Sequence, residues 1–410
     1  MRKNSLTLSL LILFSFLTAC CEKEDNKKED VTAQQTVLMY MPWTADVKMQ
    51  LAFENNINMM KESVVKREGL GNKRFLVFIS TSASTAVLYE LKYKADSKQK
   101  CVNDTLTQYT GLTGDNYSSQ SGLTTFFNDV KKQAPARSYG LIISGHGMGW
   151  LPVGSVLAYA KKNKGWNDSW DDENGDYKES ITRFFGAASG GNIKYQTEIS
   201  TLNQAVLQSF GHTDYILFDD CYMQNIETAY MLRNVTDHIL ASTCEIYKDG
   251  LPYDLAGDAL LNGNYEGVVD AFYNYYSHSQ FPYATFSIVD TSQLEALAAL
   301  MKTANQLHPY NETDKGKIQK LDGFTGTTFF DMGSYIDVIC SDDTDLCQQL
   351  QSQLKKAVPY HKHTDYLYCN YGATEIVPIE QFSGITISDP SIFIDIKKAR
   401  VNTSWWNDTH

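Results

Sequence analysis

Short apolar runs alternate with helical stretches from residue 36 onward, and this alternation predicts an α/β fold. Five of the runs lack the polar–apolar alternation of a half-exposed strand, so each predicts a strand that is buried on both faces. These runs are residues 37–41, 75–79, 139–143, 215–218 and 238–241. Apolar positions at helical spacing predict helices at residues 51–65, 123–132, 202–210 and 223–233. The pattern indicates a mostly parallel central sheet with helices on both faces.

The second half of the chain continues the alternation with a larger share of helix. Helical spacing covers residues 265–276, 292–307 and 346–358, and apolar runs predict strands at 284–289 and 382–387. No repeat or low-complexity linker separates the two halves. We therefore predict one elaborated domain over residues 36–410, with a core at about 36–250 and a C-terminal subdomain at about 251–410.

Residues 161–191 differ from the rest, because they are rich in Lys, Asn, Asp, Trp and Gly and show neither period. They predict a long exposed loop between the apolar runs 139–143 and 215–218. Loops of this length within compact domains are usually functional lids or mobile insertions.

The N-terminus has the pattern of an export signal. Two basic residues precede an apolar run at 8–17, which is too short to span a hydrocarbon core of ~30 Å as a helix. The order LTAC at residues 17–20 resembles the lipobox of bacterial lipoproteins. This resemblance implies that a signal peptide, residues 1–19, is removed and that Cys20 is lipidated. An ordinary cleaved signal is the alternative.

Residues 20–35 predict a charged, solvated tether behind the lipidated cysteine. Their acidic start resembles the surface-export signal of Bacteroidetes lipoproteins, and a spacer that faces the periplasm is the alternative. The expected location is the outer membrane, with the protein on the cell surface or on the periplasmic face.

Charge and cysteine spacing exclude two classes of function. The chain has 36 Lys and Arg against 48 Asp and Glu, a net charge of −12, so it lacks the basic excess that binds nucleic acid. None of its eight cysteines forms a CxxC motif or has a Cys/His spacing suited to zinc. We expect no nucleic-acid partner and no metal site, and the sequence does not choose a disulfide pairing.

Two predicted strands end at residues that are suited to nucleophilic catalysis. Strand 139–143 leads into Ser-Gly-His146-Gly, and strand 215–218 leads into Asp-Asp-Cys221. Ligands bind at the carboxyl ends of the strands in an open parallel sheet, so we expect the imidazole and the thiol to face one crevice. A cysteine nucleophile needs a thiolate and a proton donor for the leaving amine, and His146 can supply the proton.

Three further features fit this chemistry. The segment after Cys221 predicts a helix, whose N-terminus favours a thiolate. Gly147 has no side chain, so its N–H and that of Cys221 could form an oxyanion hole. Asp219 lies on the same side of its strand as Cys221, about 7 Å away at a rise of ~3.3 Å per residue. There it would hold a cationic substrate group, but it would also oppose ionisation of the thiol.

These residues resemble the clostripain family of cysteine peptidases, which has a caspase-like fold. The match lies in a His block, YGLIISGHGMGW at 139–150, and a Cys block, FDDCYMQNIETAY at 218–230. The stretch 241–253 is also similar, and the resemblance covers most of residues 36–410. It implies an endopeptidase that cleaves protein or peptide substrates after Arg or Lys, with Cys221 and His146 as a catalytic dyad.

The resemblance implies further properties. Asp219 matches the acidic specificity residue of the family, and activation is expected through cleavage of the loop between the two dyad residues. The candidate cleavage sites are Lys161, Lys162, Lys164 and Arg183. Several family members are helped by calcium, so a calcium effect is compatible with the resemblance, although no cofactor is required.

Each candidate residue also has a structural interpretation. Cys221 could be a buried structural thiol, and Cys244, which follows another strand, is the rival nucleophile. Asp219 could cap the following helix instead of binding substrate. Glu227 is interpreted as a buried structural partner rather than a general base.

Metal binding and other functions are the remaining alternatives. The acidic residues at 168–176 lack the register of an EF-hand and are better explained as a solvated loop. His361 and His363 can face one metal ion from a strand, but no further ligand completes a site. A non-catalytic surface binding lipoprotein on the same scaffold is the alternative function, and so is a peptidase with a small or acidic P1 preference.

Overall fold

The computed structural model describes residues 32–42, 47–153, 195–324, 326–369 and 374–410. Residues Ala33–His410 form one compact unit. The signal peptide, Cys20, the tether up to residue 31 and the loop 161–191 lie outside the described residues. Within the described part of the chain, no helix has both the length and the apolar character needed to cross a membrane.

Nine strands form the central sheet, in the order β10-β8-β7-β6-β5-β1-β2-β3-β4. The strands of this sheet are β1 (Ala33–Met41), β2 (Lys73–Ser82), β3 (Thr85–Tyr93), β4 (Cys101–Thr110), β5 (Ala136–Ser144), β6 (Thr213–Asp219), β7 (Thr236–Ala241), β8 (Thr285–Asp290) and β10 (Tyr360–His363). Two small two-stranded sheets contain β9 (Phe330–Asp331), β11 (Tyr366–Tyr368), β12 (Ile376–Pro378) and β13 (Thr386–Ile387).

Helices cover both faces of the central sheet. In the first half they are α1 (Val47–Lys66), α2 (Gly114–Ser118), α3 (Gln120–Gln133), α4 (Ile199–Ser209) and α5 (Ile226–Leu232). In the second half they are α6 (Tyr253–Leu261), α7 (Tyr265–Ser277), α8 (Leu294–Leu307), α9 (Met332–Ile339), α10 (Thr344–Ala357), α11 (Ile394–Arg400) and α12 (Ser404–Thr409).

The five predicted buried runs form the parallel centre of the sheet, β2-β1-β5-β6-β7. The outer strands β3, β4, β8 and β10 are antiparallel to their neighbours. The prediction of a mixed, mostly parallel central sheet is confirmed. Strand order runs from β1 to β2 on one side and from β5 through β6 to β7 on the other. The switch therefore lies between β1 and β5, next to the strand ends where ligands bind in such sheets.

Alternating side chains of the central strands fill two separate cores. In β1, Leu38 and Tyr40 pack into one apolar cluster, which includes α3, α4 and α8. Val37, Met39 and Met41 pack into the other, which includes α1, α6 and α7. Both faces of the strand are buried, and this explains why its sequence is an unbroken apolar run.

The structure corrects three details of the predicted elements. The hairpin β3–β4 was not predicted, because β4 is a mostly polar and exposed strand at the edge of the sheet. Strand 382–387 is reduced to β13, which pairs with β9 and not with the central sheet. Helix 223–233 begins only at Ile226, because Asn225 is its N-cap and accepts a hydrogen bond from the Thr228 N–H.

Candidate active site

His146 lies in the loop after β5, and this loop contacts the loop after β6. The Gly145 N–H donates a hydrogen bond of 2.5 Å to Oδ1 of Asp220. The strands β5 and β6 are in register with Ser144 beside Asp219, so both loops leave the sheet at the same level. His146 is fully buried at this junction.

Gly147 is in direct contact with the Cys221 main chain. A Cβ atom at residue 147 would lie 2.2 Å from the Cys221 carbonyl oxygen and 2.9 Å from the Met223 sulfur. These distances are too short for any side chain, so the approach of the two loops requires glycine here. The structure thus brings together the His146 loop and the Cys221 loop, which are separated by 75 positions in the sequence.

The Cys221 thiol contacts the main chain of Ile246, in the loop after β7. The Ile246 N–H donates a hydrogen bond to Sγ at 3.2 Å, and Sγ lies 3.7 Å from the Ile246 carbonyl oxygen. A main-chain N–H that donates to sulfur stabilises the negative charge of a thiolate. Cys221 is 2% exposed, so the sulfur is buried in this conformation.

The prediction that Cys221 sits at a helix N-terminus is wrong. Helix α5 begins at Ile226, and the side chain of Asn225 already caps that end. Between Cys221 and the helix, Tyr222 adopts a left-handed conformation with φ of 58°. Its side chain stacks on Phe329 with ring centroids 4.9 Å apart. A tight turn, rather than a helix dipole, therefore presents the thiol.

Hydrogen bonds hold this turn in its left-handed form. The Tyr222 N–H donates to the Cys244 carbonyl at 3.0 Å, and the Tyr222 hydroxyl donates to Glu245 at 3.0 Å. A left-handed backbone at a residue other than glycine costs about 1–3 kcal/mol, and these contacts offset that cost. Neither the strained residue nor the Ile246 contact was predicted, because no local sequence pattern signals them.

Asp219 is fully buried at the end of β6. Its Oδ1 accepts a hydrogen bond from the Leu251 N–H at 2.9 Å, and its Oδ2 accepts one from the Tyr253 hydroxyl at 3.0 Å. The carboxylate therefore anchors the start of α6. It does not cap the helix that follows it in sequence, whose N-cap is Asn225.

Cys244 has an environment unsuited to a nucleophile. Burial raises the pKa of its thiol to about 12, and Asp322 and Glu245 act in the same direction. Its Sγ lies 3.4 Å from the Leu321 carbonyl oxygen, an acceptor that favours the protonated form. Cys244 is therefore a neutral thiol at physiological pH, and thiols in this form are poor nucleophiles.

Glu227 is a structural partner, as interpreted from the sequence. Its Oε1 accepts a hydrogen bond from the Ser388 N–H at 2.8 Å, and the Ser388 hydroxyl accepts one from the Trp150 indole at 2.8 Å. Burial, with Asp389 as the next contributor, raises the pKa of Glu227 to about 8. The residue thus connects α5 to the segment at Trp150, behind the two loops.

The described residues contain no group of three or more His, Cys, Asp or Glu side chains that could hold a metal ion. His361 and His363 both pack against the ring of Phe382, with centroid distances of 5.3 Å and 4.7 Å. The acidic residues 168–176 lie outside the described part of the chain. No disulfide bond joins any two of the six cysteines that the structure describes, namely Cys101, Cys221, Cys244, Cys340, Cys347 and Cys369.

Comparison with known proteins gives one family and several solved structures. The model of the clostripain family, Peptidase_C11, matches residues 42–387. A secreted C11 cysteine protease from Bacteroides thetaiotaomicron, "iotapain", is 36% identical with a TM-score of 0.79, over 92% of this chain and 99% of that chain. No match is found among curated proteins.

Two further structures are similar over different shares of the chain. A clostripain from Bacteroides thetaiotaomicron, in complex with the peptide inhibitor BTN-VLTK-AOMK, is 38% identical with a TM-score of 0.53, over 55% of this chain and 99% of that chain. An inactive zymogen of a C11 protease from Parabacteroides distasonis is 25% identical with a TM-score of 0.72, over 92% of this chain and 99% of that chain.

Proposed function

The chain belongs to the clostripain family of cysteine peptidases, and we propose that it is an endopeptidase that cleaves after Arg or Lys through Cys221 and His146. Its fold is caspase-like, and its substrates are proteins or peptides. The preference for a basic residue is supported by one relative, since the name of its peptide inhibitor, BTN-VLTK-AOMK, carries lysine as the last letter of VLTK.

In the proposed reaction, the Cys221 thiol gives its proton to His146 and attacks the carbonyl carbon of the scissile bond. A carbon–sulfur bond forms, the carbon–nitrogen bond breaks, and His146 returns the proton to the leaving amine. Water then attacks the thioester while His146 accepts its proton, the carbon–sulfur bond breaks to release the carboxylic acid, and the proton returns from His146 to the Cys221 sulfur. The N–H groups of Gly147 and Cys221 stabilise the oxyanion that forms in each step. The reaction as proposed requires no metal ion.

One observation carries this proposal: the contact between the His146 loop and the Cys221 loop. The Gly145–Asp220 hydrogen bond and the close approach of Gly147 to the Cys221 carbonyl hold the two loops at one end of the sheet. Both candidate side chains are buried, so the proposal includes a movement that exposes the thiol before substrate binds. Cleavage within the loop 161–191 is the proposed trigger, and one relative is described as an inactive zymogen.

Asp219 is proposed to act in the recognition of the basic residue. It is buried two residues before Cys221, and its hydrogen bonds to Leu251 and Tyr253 fix its orientation. A carboxylate fixed in this way is preorganised for a guanidinium or ammonium group. The movement that exposes Cys221 would also have to give the substrate side chain access to Asp219.

The chain is further proposed to be an exported lipoprotein, anchored to the outer membrane through Cys20. The lipobox-like sequence supports the anchor, and a relative described as secreted supports export. Metabolic labelling with a fatty acid tests the anchor. Label is expected on the wild-type chain and not on a Cys20→Ala variant, and equal labelling of both would contradict it.

The central experiment compares the wild type with Cys221→Ala and Cys244→Ala on short reporter peptides that contain Arg or Lys. Removing the nucleophile should lower kcat/KM by at least about a thousandfold, whereas the Cys244→Ala variant should retain turnover. Circular dichroism checks that both variants are folded. Equal turnover by all three proteins would remove the assignment, and cleavage only after small or acidic residues would replace the proposed specificity.

A further inference from the structure

Five aromatic side chains from three separate segments converge beside the candidate nucleophile. This aromatic cluster consists of Tyr247 in the loop after β7, Tyr276 in α7, Phe281 and Tyr283 in the following loop, and Tyr368 in β11. Tyr247 lies at its centre, with ring centroids 5.4–6.4 Å from those of the other four.

The aromatic cluster reaches the protein surface. Phe281 is 48% exposed. Tyr366 is 49% exposed and lies on the same face of β11 as Tyr368, because side chains two residues apart in a strand point the same way. Phe281 connects this exposed surface to the buried rings, because its ring centroid lies 5.4 Å from that of Tyr247.

The aromatic cluster is directly connected to the thiol. Tyr247 follows Ile246, whose N–H and carbonyl oxygen are the main-chain atoms in contact with the Cys221 sulfur. Adjacent Cα atoms are only about 3.8 Å apart. A peptide whose scissile bond reaches Cys221 would therefore pass next to these rings.

The chemistry of the aromatic cluster favours an apolar group over a cation. Burial, together with charges that include Glu245, raises the pKa of Tyr247 and of Tyr368, so both phenols stay neutral at physiological pH. The Glu245 carboxylate is buried and accepts a hydrogen bond from the Tyr222 hydroxyl. Tyr247 stacks on Tyr276 and on Tyr368, and Tyr283 also stacks on Tyr368. These stacked neighbours cover the ring faces to which a cation would bind.

We propose that the aromatic cluster is a substrate subsite that binds a bulky apolar side chain, aliphatic or aromatic, close to the scissile residue. This inference rests on the proposed peptidase function and adds a second determinant of substrate choice. The subsite would select peptides by removing apolar surface from water, independently of the basic residue at the cleavage point.

Reporter peptides with a fixed basic residue before the scissile bond test the subsite. Gly, Phe or Lys is placed in turn at each of the three preceding positions, and kcat/KM is measured with the full chain. At one position, Phe is expected to exceed Gly by about tenfold. In Phe281→Ser this ratio should fall to about twofold. Leu307→Ser is the matched control, because Leu307 is 62% exposed and lies at the end of α8.

The outcomes separate the subsite from the peptidase itself. Cleavage of all peptides with equal kcat/KM, or a Phe preference that survives in both Phe281→Ser and Tyr366→Ser, overturns the subsite and leaves the peptidase intact. A preference for Lys over Phe also overturns it, in favour of a cationic occupant. If no peptide is cleaved even after the loop 161–191 has been cut, the proposed function and the subsite both fail.

Discussion

Two cysteines follow neighbouring parallel strands of the same sheet, yet one contact of the sulfur differs between them. Cys221 follows β6 and Cys244 follows β7, and each is 2% exposed. Each sulfur lies near a main-chain carbonyl oxygen, that of Ile246 for Cys221 and that of Leu321 for Cys244, but the Cys221 sulfur also accepts a hydrogen bond from the Ile246 N–H. A position at a strand end therefore does not make a nucleophile. Two features distinguish Cys221 from Cys244: a main-chain N–H donates a hydrogen bond to its sulfur, and its loop contacts the His146 loop.

The largest expected effect is a difference in alkylation rate between the two thiols. Because burial raises the pKa of Cys244 to about 12, its thiol is protonated at pH 8, and iodoacetamide should leave it unmodified in the native protein. Cys221 should react first of the pair once the site opens, and peptide mapping by mass spectrometry follows both. In denaturant the two should react alike. Equal rates in the folded protein after cleavage of the loop 161–191 would remove the distinction drawn between them.

The next effect concerns the contact between Gly147 and the main chain of the Cys221 loop. In Gly147→Ala the new methyl group would meet the Cys221 carbonyl oxygen at 2.2 Å, so the two loops must separate. We expect kcat/KM to fall by about a hundredfold or more, because small displacements of reacting groups are costly. Gly316→Ala is the control, since nothing lies within 4 Å of a Cβ at that residue. Full activity in Gly147→Ala would show that the loop contact is dispensable.

A smaller effect is expected from the carboxylate before Cys221, which has no counterpart before Cys244. Asp219→Asn keeps the volume but leaves one of two buried donors without its acceptor, which should lower the free energy of unfolding by about 1–3 kcal/mol. It should also lower kcat/KM for Arg and Lys reporters by about tenfold or more. Tyr253→Phe removes only one of these hydrogen bonds. If both variants lose stability but neither loses preference for basic residues, Asp219 is only an anchor for α6.

The smallest effect is a pH dependence of the stability of the protein, which arises from Glu227 in α5. The pKa of Glu227 is about 8 in the folded protein and is ordinary in the unfolded chain, so the folded state retains a proton that the unfolded state loses. Its contribution to stability is complete below about pH 4 and declines as the pH rises toward 8. Between pH 5 and pH 8, the free energy of unfolding of the wild type should therefore fall by at least about 1 kcal/mol relative to that of Glu227→Gln.

Urea unfolding at both pH values measures this difference. The exposed Glu266→Gln serves as the control and should track the wild type at both values. A constant difference between the wild type and Glu227→Gln across this range would mean that Glu227 is ionised in the folded protein.

The sequence predicts the parallel centre of the sheet well, because strands buried on both faces must be apolar throughout. It does not predict β4, whose polar residues suit a sheet edge and match no buried pattern. It places His361 and His363 on a strand but does not predict that this strand, β10, forms an edge of the central sheet. Met223 fits the helical spacing of the apolar residues that follow it, so the sequence predicts a helix that begins at residue 223. The Asn225 cap shows that α5 begins only at Ile226. Apolar spacing reports burial, and Met223 is buried in a turn.

The candidate site is predictable only in part for a similar reason. Strand ends place His146 and Cys221 near one edge, and the two motifs carry the family resemblance. The contact of Cys221 with Ile246, the left-handed Tyr222 and the burial of Cys244 depend on how three loops pack together. Such tertiary contacts leave no periodic signal in the chain, so Cys244 had to be retained as a rival until its surroundings were known.

The two borders of the nine-stranded sheet are poor templates for strand addition. At one border, β4 exposes polar side chains such as Asn103 and Asp104. At the other, β10 has only four residues, and its Lys362 is paired with Asp270. Charged or very short outermost strands discourage intermolecular pairing and aggregation. Even when many copies are crowded together, they should not associate by pairing these outermost strands.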